Sequence, residues 1–91
     1  MYYVYLIESI NLDFLYVGST PELRRRFSQH NHKQDLSTKH YAPFKLIYYE
    51  AYDNRKDALA REYKLKHHGS VIGHLKRRLK FSRLNKSKGR G

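Results

Sequence analysis

The stretch from Tyr16 to His30, YVGSTPELRRRFSQH, constrains the fold most. A strand has to end there and a helix begin, and ionisable groups fall where a core should form. Thr20 suits an N-cap, Pro21 the first helical position and Glu22 the positive helix terminus, which predicts a helix from about Pro21 to about Asn31. On that helix Leu23, Arg26, Phe27 and His30 follow the i, i+3, i+4, i+7 spacing of a buried stripe. Arg24, Arg25, Ser28 and Gln29 point elsewhere and can be solvated, whereas Arg26 and His30 share the face of the two hydrophobic anchors. A cation facing a core needs a partner or a purpose.

Tyr2 to Glu8 is aromatic and β-branched, as is Phe14 to Gly18, and the turn-forming segment Ser9 to Asp13 lies between them. An antiparallel hairpin is the expectation, with Tyr3, Tyr5 and Ile7 on one face and Tyr2, Val4 and Leu6 on the other. Gly18 is expected to let the backbone turn sharply into the Thr20 cap. His32 to Pro43 is polar and aperiodic, a loop long enough to be functional. Phe44 to Tyr52, FKLIYYEAY, reads as a third strand, and its nearly continuous apolar content marks it as the central one.

Asn54 and Asp57 form the start signal of a second helix over about Arg55 to His67. At about 100° per residue, Ala58, Leu59 and Leu65 define its apolar side, with Glu62 between them and Arg61 and Lys64 pointing away. Gly69 is expected to end that helix and Ser70 to cap a third, packed through Ile72, Leu75 and Leu79. Lys76, Arg77 and Lys80 then face outward, and the Gly-, Ser- and Lys-rich residues 85–91 form a basic disordered tail behind a domain spanning residues 1–84.

Ninety-one residues make one small domain with an economical core, to which nine Tyr and four Phe bring large buried areas. Without cysteine, disulfides, thiol catalysis and Cys-containing zinc sites are excluded. His32, His67 and His68 lack the spacing of a ligand set. The opening MYYVYLIESI reads as a strand and not a signal peptide, and no apolar run approaches the ~20 residues of a membrane helix. A cytoplasmic protein without a membrane partner is the expectation. Nineteen Lys and Arg against eight Asp and Glu give a net charge of +11, and no acidic residue follows Glu62. Such an imbalance is the footprint of a polyanion partner, nucleic acid first.

Arg26, His30 and Glu62 on core-facing positions, together with the strand tyrosines, are many polar conflicts for so small a domain unless they converge on a site. The plain structural alternative is an Arg26–Glu62 ion pair with His30 as a satisfied core residue.

Tyr3-Val4-Tyr5, then ten residues, then Tyr16-Val17-Gly18, followed by Arg26 and His30 on a helix and by PFKLIYYEAY and ALAREYKLK, resembles the GIY-YIG nuclease family, in particular its small stand-alone bacterial proteins. The likeness covers the chain to about Lys80. It implies an α+β fold in which a three-stranded antiparallel sheet is flanked by about three helices. It further implies phosphodiester cleavage with one divalent metal, Mg²⁺ or Mn²⁺. Tyr5 and Tyr16 match the family tyrosines, Arg26 its arginine, His30 its histidine, Glu62 its metal-binding glutamate, and Gly18 the glycine that turns the backbone under the site. Tyr3 departs from the first triplet, where the family has Gly, and could narrow the cleft.

These residue types suit the chemistry. In-line attack by water needs a base, a charge sink and a hold on the leaving oxygen. A single carboxylate, Glu62, can hold Mg²⁺ when waters complete the octahedron, and Arg26 can stabilise the phosphoryl oxygens. A tyrosine has an ordinary pKa of ~10. Arg26 and a metal would favour its phenolate, so Tyr5 can serve as base with His30 relaying the proton. His30 as base and Tyr5 as positioner is the converse assignment. Lys39 and His40 in the loop, and Lys76, Arg77 and Lys80 on the third helix, are candidate phosphate contacts. Tyr48, Tyr49, Tyr52 and Tyr63 could stack bases, though their spacing suits core packing.

The leading reading is a metal-dependent DNA endonuclease, selective for structure or weakly for sequence, acting in DNA repair or recombination. DNA is preferred over RNA as partner, and a protein partner could supply specificity. The rivals are a non-catalytic nucleic-acid-binding module on the same fold and a basic structural or RNA-associated protein.

Overall fold

The computed structural model describes residues 1–84; the expected basic tail at 85–91 lies outside the described residues. Three strands, β1 (Tyr2–Ser9), β2 (Leu15–Thr20) and β3 (Phe44–Tyr52), form an antiparallel sheet in the order β2-β1-β3. The central strand is therefore β1, not β3. In β1, Val4 to Ser9 are buried without a break, whereas β3 alternates between covered and open positions. The apolar run of β3 misleads for a local reason. Leu6 pairs with Tyr48 but Ile7 pairs with Leu46, so Ile47 is an extra residue in the ladder and the simple alternation of the strand is lost there.

Each face of the sheet is covered by helix. Val4, Leu6, Val17 and Ile47 pack with Ala58 and Leu65 of α2 (Arg55–His67) and with Leu75 and Leu79 of and beside α3 (Gly69–Arg78). Tyr5, Ile7 and Phe44 pack with Leu23 and Phe27 of α1 (Leu23–Asn31) and with Phe14, Tyr16 and Tyr41. The predicted division of β1 into two faces holds, and the result is the expected α+β architecture in three layers.

Local signals placed the helices to within two residues. Asn54 Oδ1 accepts the Lys56 N–H at 2.8 Å, and α2 spans the expected segment. The first helix begins at Leu23 and not Pro21, because Thr20 remains in β2; its Oγ1 still accepts the Glu22 N–H at 3.1 Å. Gly69 opens α3 instead of closing α2, with His68 as the N-cap, so Ser70 lies inside the third helix. Leu59 is 41% exposed, which removes it from the expected apolar side of α2. Arg61, expected to point away, is half-buried and donates to Glu50 at 2.9 Å, while Tyr48 and Tyr52 donate to the same carboxylate. After α3, Arg83 Nη2 and the Leu84 N–H reach the buried Glu8 carboxylate, both at 2.9 Å, and fasten the chain to the central strand.

Candidate active site

The pairing of β1 with β2 sets Tyr5 opposite Gly18. A Cβ on Gly18 would lie 2.4 Å from the Tyr5 hydroxyl oxygen and 2.6 Å from Cζ, far inside contact distance. Gly18 is thus a close-approach glycine within a strand, not the expected turn: no described glycine has positive φ. The ring of Tyr16, two residues earlier on the same strand face, lies 6.4 Å from that of Tyr5.

From the last turn of α1 the His30 ring enters this space with no exposed surface. Its Nε2 lies 2.7 Å from the Tyr5 hydroxyl and its Nδ1 2.8 Å from Oγ1 of the equally buried Thr38. Burial, with Arg26 adding to it, pushes the imidazole below its ordinary pKa, so it is neutral at neutral pH and carries one donor and one acceptor. Burial also pushes the Tyr5 phenol up, and Tyr16 adds to it, while Arg26 pulls the other way. The expected easy phenolate is not the resting state. Two proton arrangements satisfy both contacts. In one of them the Tyr5 O–H donates to Nε2 and Nδ1–H to Thr38, which gives the phenol's proton a place to go.

Arg26 forms an ion pair with Asp35 and donates to Gln29 Oε1 at 3.0 Å. Hydrogen bonds from Ser37, then the pull of Arg26, hold the Asp35 carboxyl down at about 2 against its own burial. Glu62, on α2, has other partners. Its Oε1 accepts from Ser19 Oγ at 2.7 Å and its Oε2 pairs with Lys66 Nζ at 2.8 Å. The Arg26–Glu62 pair considered from sequence does not form.

Lys66 Nζ also lies 5.6 Å from the Tyr16 ring centroid, so Glu62 reaches the aromatic cluster around edge strand β2. The structure thus brings Tyr5, Tyr16 and His30 into ring contact, adds Arg26 through its charge on Tyr5, and joins Glu62 through Lys66. Lys39 and His40 follow Thr38 in a 3₁₀ turn, Lys39–Tyr41, inside what the sequence presents as plain loop; Lys39 is half-buried and His40 exposed. Lys76, Arg77 and Lys80 are exposed as expected, on the α2–α3 side of the sheet.

Thr38, Asp35, Ser19 and Lys66 escaped sequence reasoning. Lys66 stands four residues after Glu62, a helical pair that could have been noticed, and Ser19 adjoins Gly18. Nothing local marks Thr38. Among the described residues no group of three His, Asp or Glu converges as a metal-ligand set. A hard divalent cation that takes one carboxylate and completes its shell with water is chemically compatible with Glu62, whose Oε2 is held by Lys66, a side chain 39% exposed, at 2.8 Å.

The sequence signature of the GIY-YIG catalytic domain matches residues 1–71. The chain is 35% identical over 66 residues to a UPF0213 protein of Haloquadratum walsbyi, covering 71% of this chain and 73% of the relative. A UPF0213 protein of Clostridium perfringens is 36% identical, with 72% and 71% covered. One from Limosilactobacillus reuteri is 38% identical, with the same coverage. No solved structure matches the chain.

Proposed function

We infer the function from one premise: the chain belongs to the GIY-YIG catalytic-domain family, a family of nucleases. The reading is a divalent-metal-dependent endonuclease that hydrolyses DNA phosphodiester bonds in the cytoplasm, selecting strand structure more than sequence, in repair or recombination. The observation that carries it is the Tyr5–His30 hydrogen bond at 2.7 Å, backed by Thr38. A buried phenol, imidazole and hydroxyl in line form a proton path that a purely structural core of this size does not require.

Glu62 would hold Mg²⁺ or Mn²⁺, which supplies charge neutralisation at the phosphate when bound. Tyr5 accepts a proton from the attacking water while its own passes to His30 Nε2. Thr38 holds the other ring nitrogen and so fixes the imidazole's orientation. The hydroxide adds to phosphorus, the bond to the leaving oxygen breaks, and that oxygen takes a proton from solvent. Arg26 meets the growing negative charge on the phosphoryl oxygens, and Tyr16 positions the phosphate at the β2 edge. A domain of this size by itself presents little surface for reading a long sequence, which favours recognition by shape.

The test is cleavage of duplex, single-stranded, nicked and branched DNA with Mg²⁺ or Mn²⁺, alongside the Glu62→Ala variant. Metal-dependent cutting lost in the variant supports the reading. Tight binding without cutting under either metal points instead to a binding module, the alternative that the Glu62–Lys66 pair favours.

A further inference from the structure

A groove of about 870 Å³ opens between the first half of α1 and the sheet, lined by Tyr3, Leu23, Arg24, Phe27, Leu46 and Tyr49. Its size is that of a small-molecule site. Its floor is aromatic. The Tyr3 and Tyr49 rings meet edge-on, 5.8 Å apart at 66°, an arrangement that leaves ring faces for a third aromatic partner. Tyr49 is 54% exposed on the edge strand, although its strand spacing suits a core. Tyr48 and Tyr52, by contrast, pack against the apolar core and spend their hydroxyls on Glu50.

The rim is basic. Arg24 and Arg25 are exposed there, and the acid at the rim, Glu22, is already paired with Arg25 at 3.4 Å, so Arg24 sets the charge an incoming group meets. An aromatic floor under a cationic rim fits a flat base followed by a phosphate. A base stacked inside a duplex cannot enter such a groove; an unpaired one can. Tyr3 precedes Tyr5 by two residues on one strand face, ~7 Å along the strand, and Phe27 adjoins Arg26, so the groove opens beside the candidate active site.

We propose that this groove seats one unpaired nucleobase of a DNA strand, stacked on Tyr3 and Tyr49 with its phosphate on Arg24, so that the enzyme selects DNA with an unpaired nucleotide next to the cleaved bond. The selection of a cleaved bond rests on the nuclease reading; the binding does not.

The probe is a short single-stranded oligodeoxynucleotide carrying one 2-aminopurine, titrated into the 91-residue Glu62→Ala chain without metal, with the same strand in a blunt duplex for comparison. The single strand is expected to bind with quenched fluorescence and the duplex without it. Tyr49→Leu should lower single-strand affinity about ten-fold, ~1.4 kcal/mol, and abolish quenching. Tyr49→Phe should keep both, and Tyr63→Leu, at another exposed tyrosine, should change neither. Arg24→Gln should weaken binding and flatten its salt dependence by about one unit of slope. Quenching that survives Tyr49→Leu while the thermal transition is unchanged overturns the proposal, and so does tighter binding of the matching RNA strand. Quenching without cleavage by the unsubstituted chain removes the nuclease reading and leaves the groove; cleavage without quenching does the reverse.

Discussion

The two faces of the sheet bury their side chains by different means. Toward α2 and α3 the contacts are aliphatic, from Val4 and Leu6 through Ile47 and Leu65 to Leu75. Toward α1 the fully buried groups include Tyr5, His30 and Thr38, whose polar atoms are satisfied by one another. The first arrangement gains stability simply by removing area from water. The second gains less, because each hydrogen bond made on folding replaces one to water, yet it holds a protonated phenol against a neutral imidazole. A polar path is thus kept satisfied inside one half of the core, with an ordinary apolar half behind it.

The largest expected effect lies on the aliphatic face. Leu6→Ala, at a side chain with no exposed surface, should lower unfolding free energy by ~2–5 kcal/mol in a denaturant titration. A loss below ~1 kcal/mol would mean that this face is not the main source of stability.

Gly18→Ala attacks the other face through the 2.4 Å approach of its new Cβ to the Tyr5 hydroxyl, and should cost ~1–3 kcal/mol by overpacking. Truncating the phenol should relieve it, so the cost of Gly18→Ala should shrink in a Tyr5→Leu background. Equal costs in both backgrounds would show that the glycine serves something other than the ring.

Proton linkage sharpens the contrast further. His30 binds a proton more weakly folded than unfolded, so its contribution is present at neutral pH and is lost as pH falls below ~6.5. Tyr5 has the opposite sign: its phenol ionises less readily when folded, so its contribution is present below pH ~10 and is lost above it. Asp35, held at about 2, adds a further loss as pH drops below ~4. Thermal melts across pH should show a flat region between the His30 and Tyr5 limbs. The decline from pH 7 to 5 should be smaller in His30→Asn; an unchanged slope would show that His30 is not its source.

The smallest stability effect belongs to Lys66, which joins the faces around the β2 edge. Lys66→Met removes a partly exposed pair worth ~0.5 kcal/mol or less, but it frees Glu62 Oε2. Mn²⁺ affinity, followed by electron paramagnetic resonance, should rise several-fold. Weaker Mn²⁺ binding would show that the lysine assists the cation instead of competing with it.

The sequence made the α1 face legible because its conflict is local: Arg26 and His30 interrupt a stripe whose spacing is unmistakable, and the Asn54 cap fixed α2 in the same way. What stayed hidden depends on distant pairing. The extra residue Ile47 changes which side chains of β3 share a face, so neither the edge position of that strand nor the exposure of Tyr49 can be read from its composition. Thr38 meets His30 only after the 32–43 loop folds back, and Arg61 gains its reason only when β3 brings Glu50 to α2. Glu62 was recognisable, but its Ser19 partner belongs to a strand more than forty residues away.

The most direct test compares Tyr5→Phe with the unsubstituted protein in Mg²⁺-dependent cleavage, with the thermal transition measured on the same samples. Removing one hydroxyl should lower the cleavage rate by ~100-fold or more while shifting stability by no more than ~1.5 kcal/mol, since the ring and its packing remain. Cleavage at the unsubstituted rate by a folded Tyr5→Phe chain would contradict the assignment of a catalytic proton path to the α1 face.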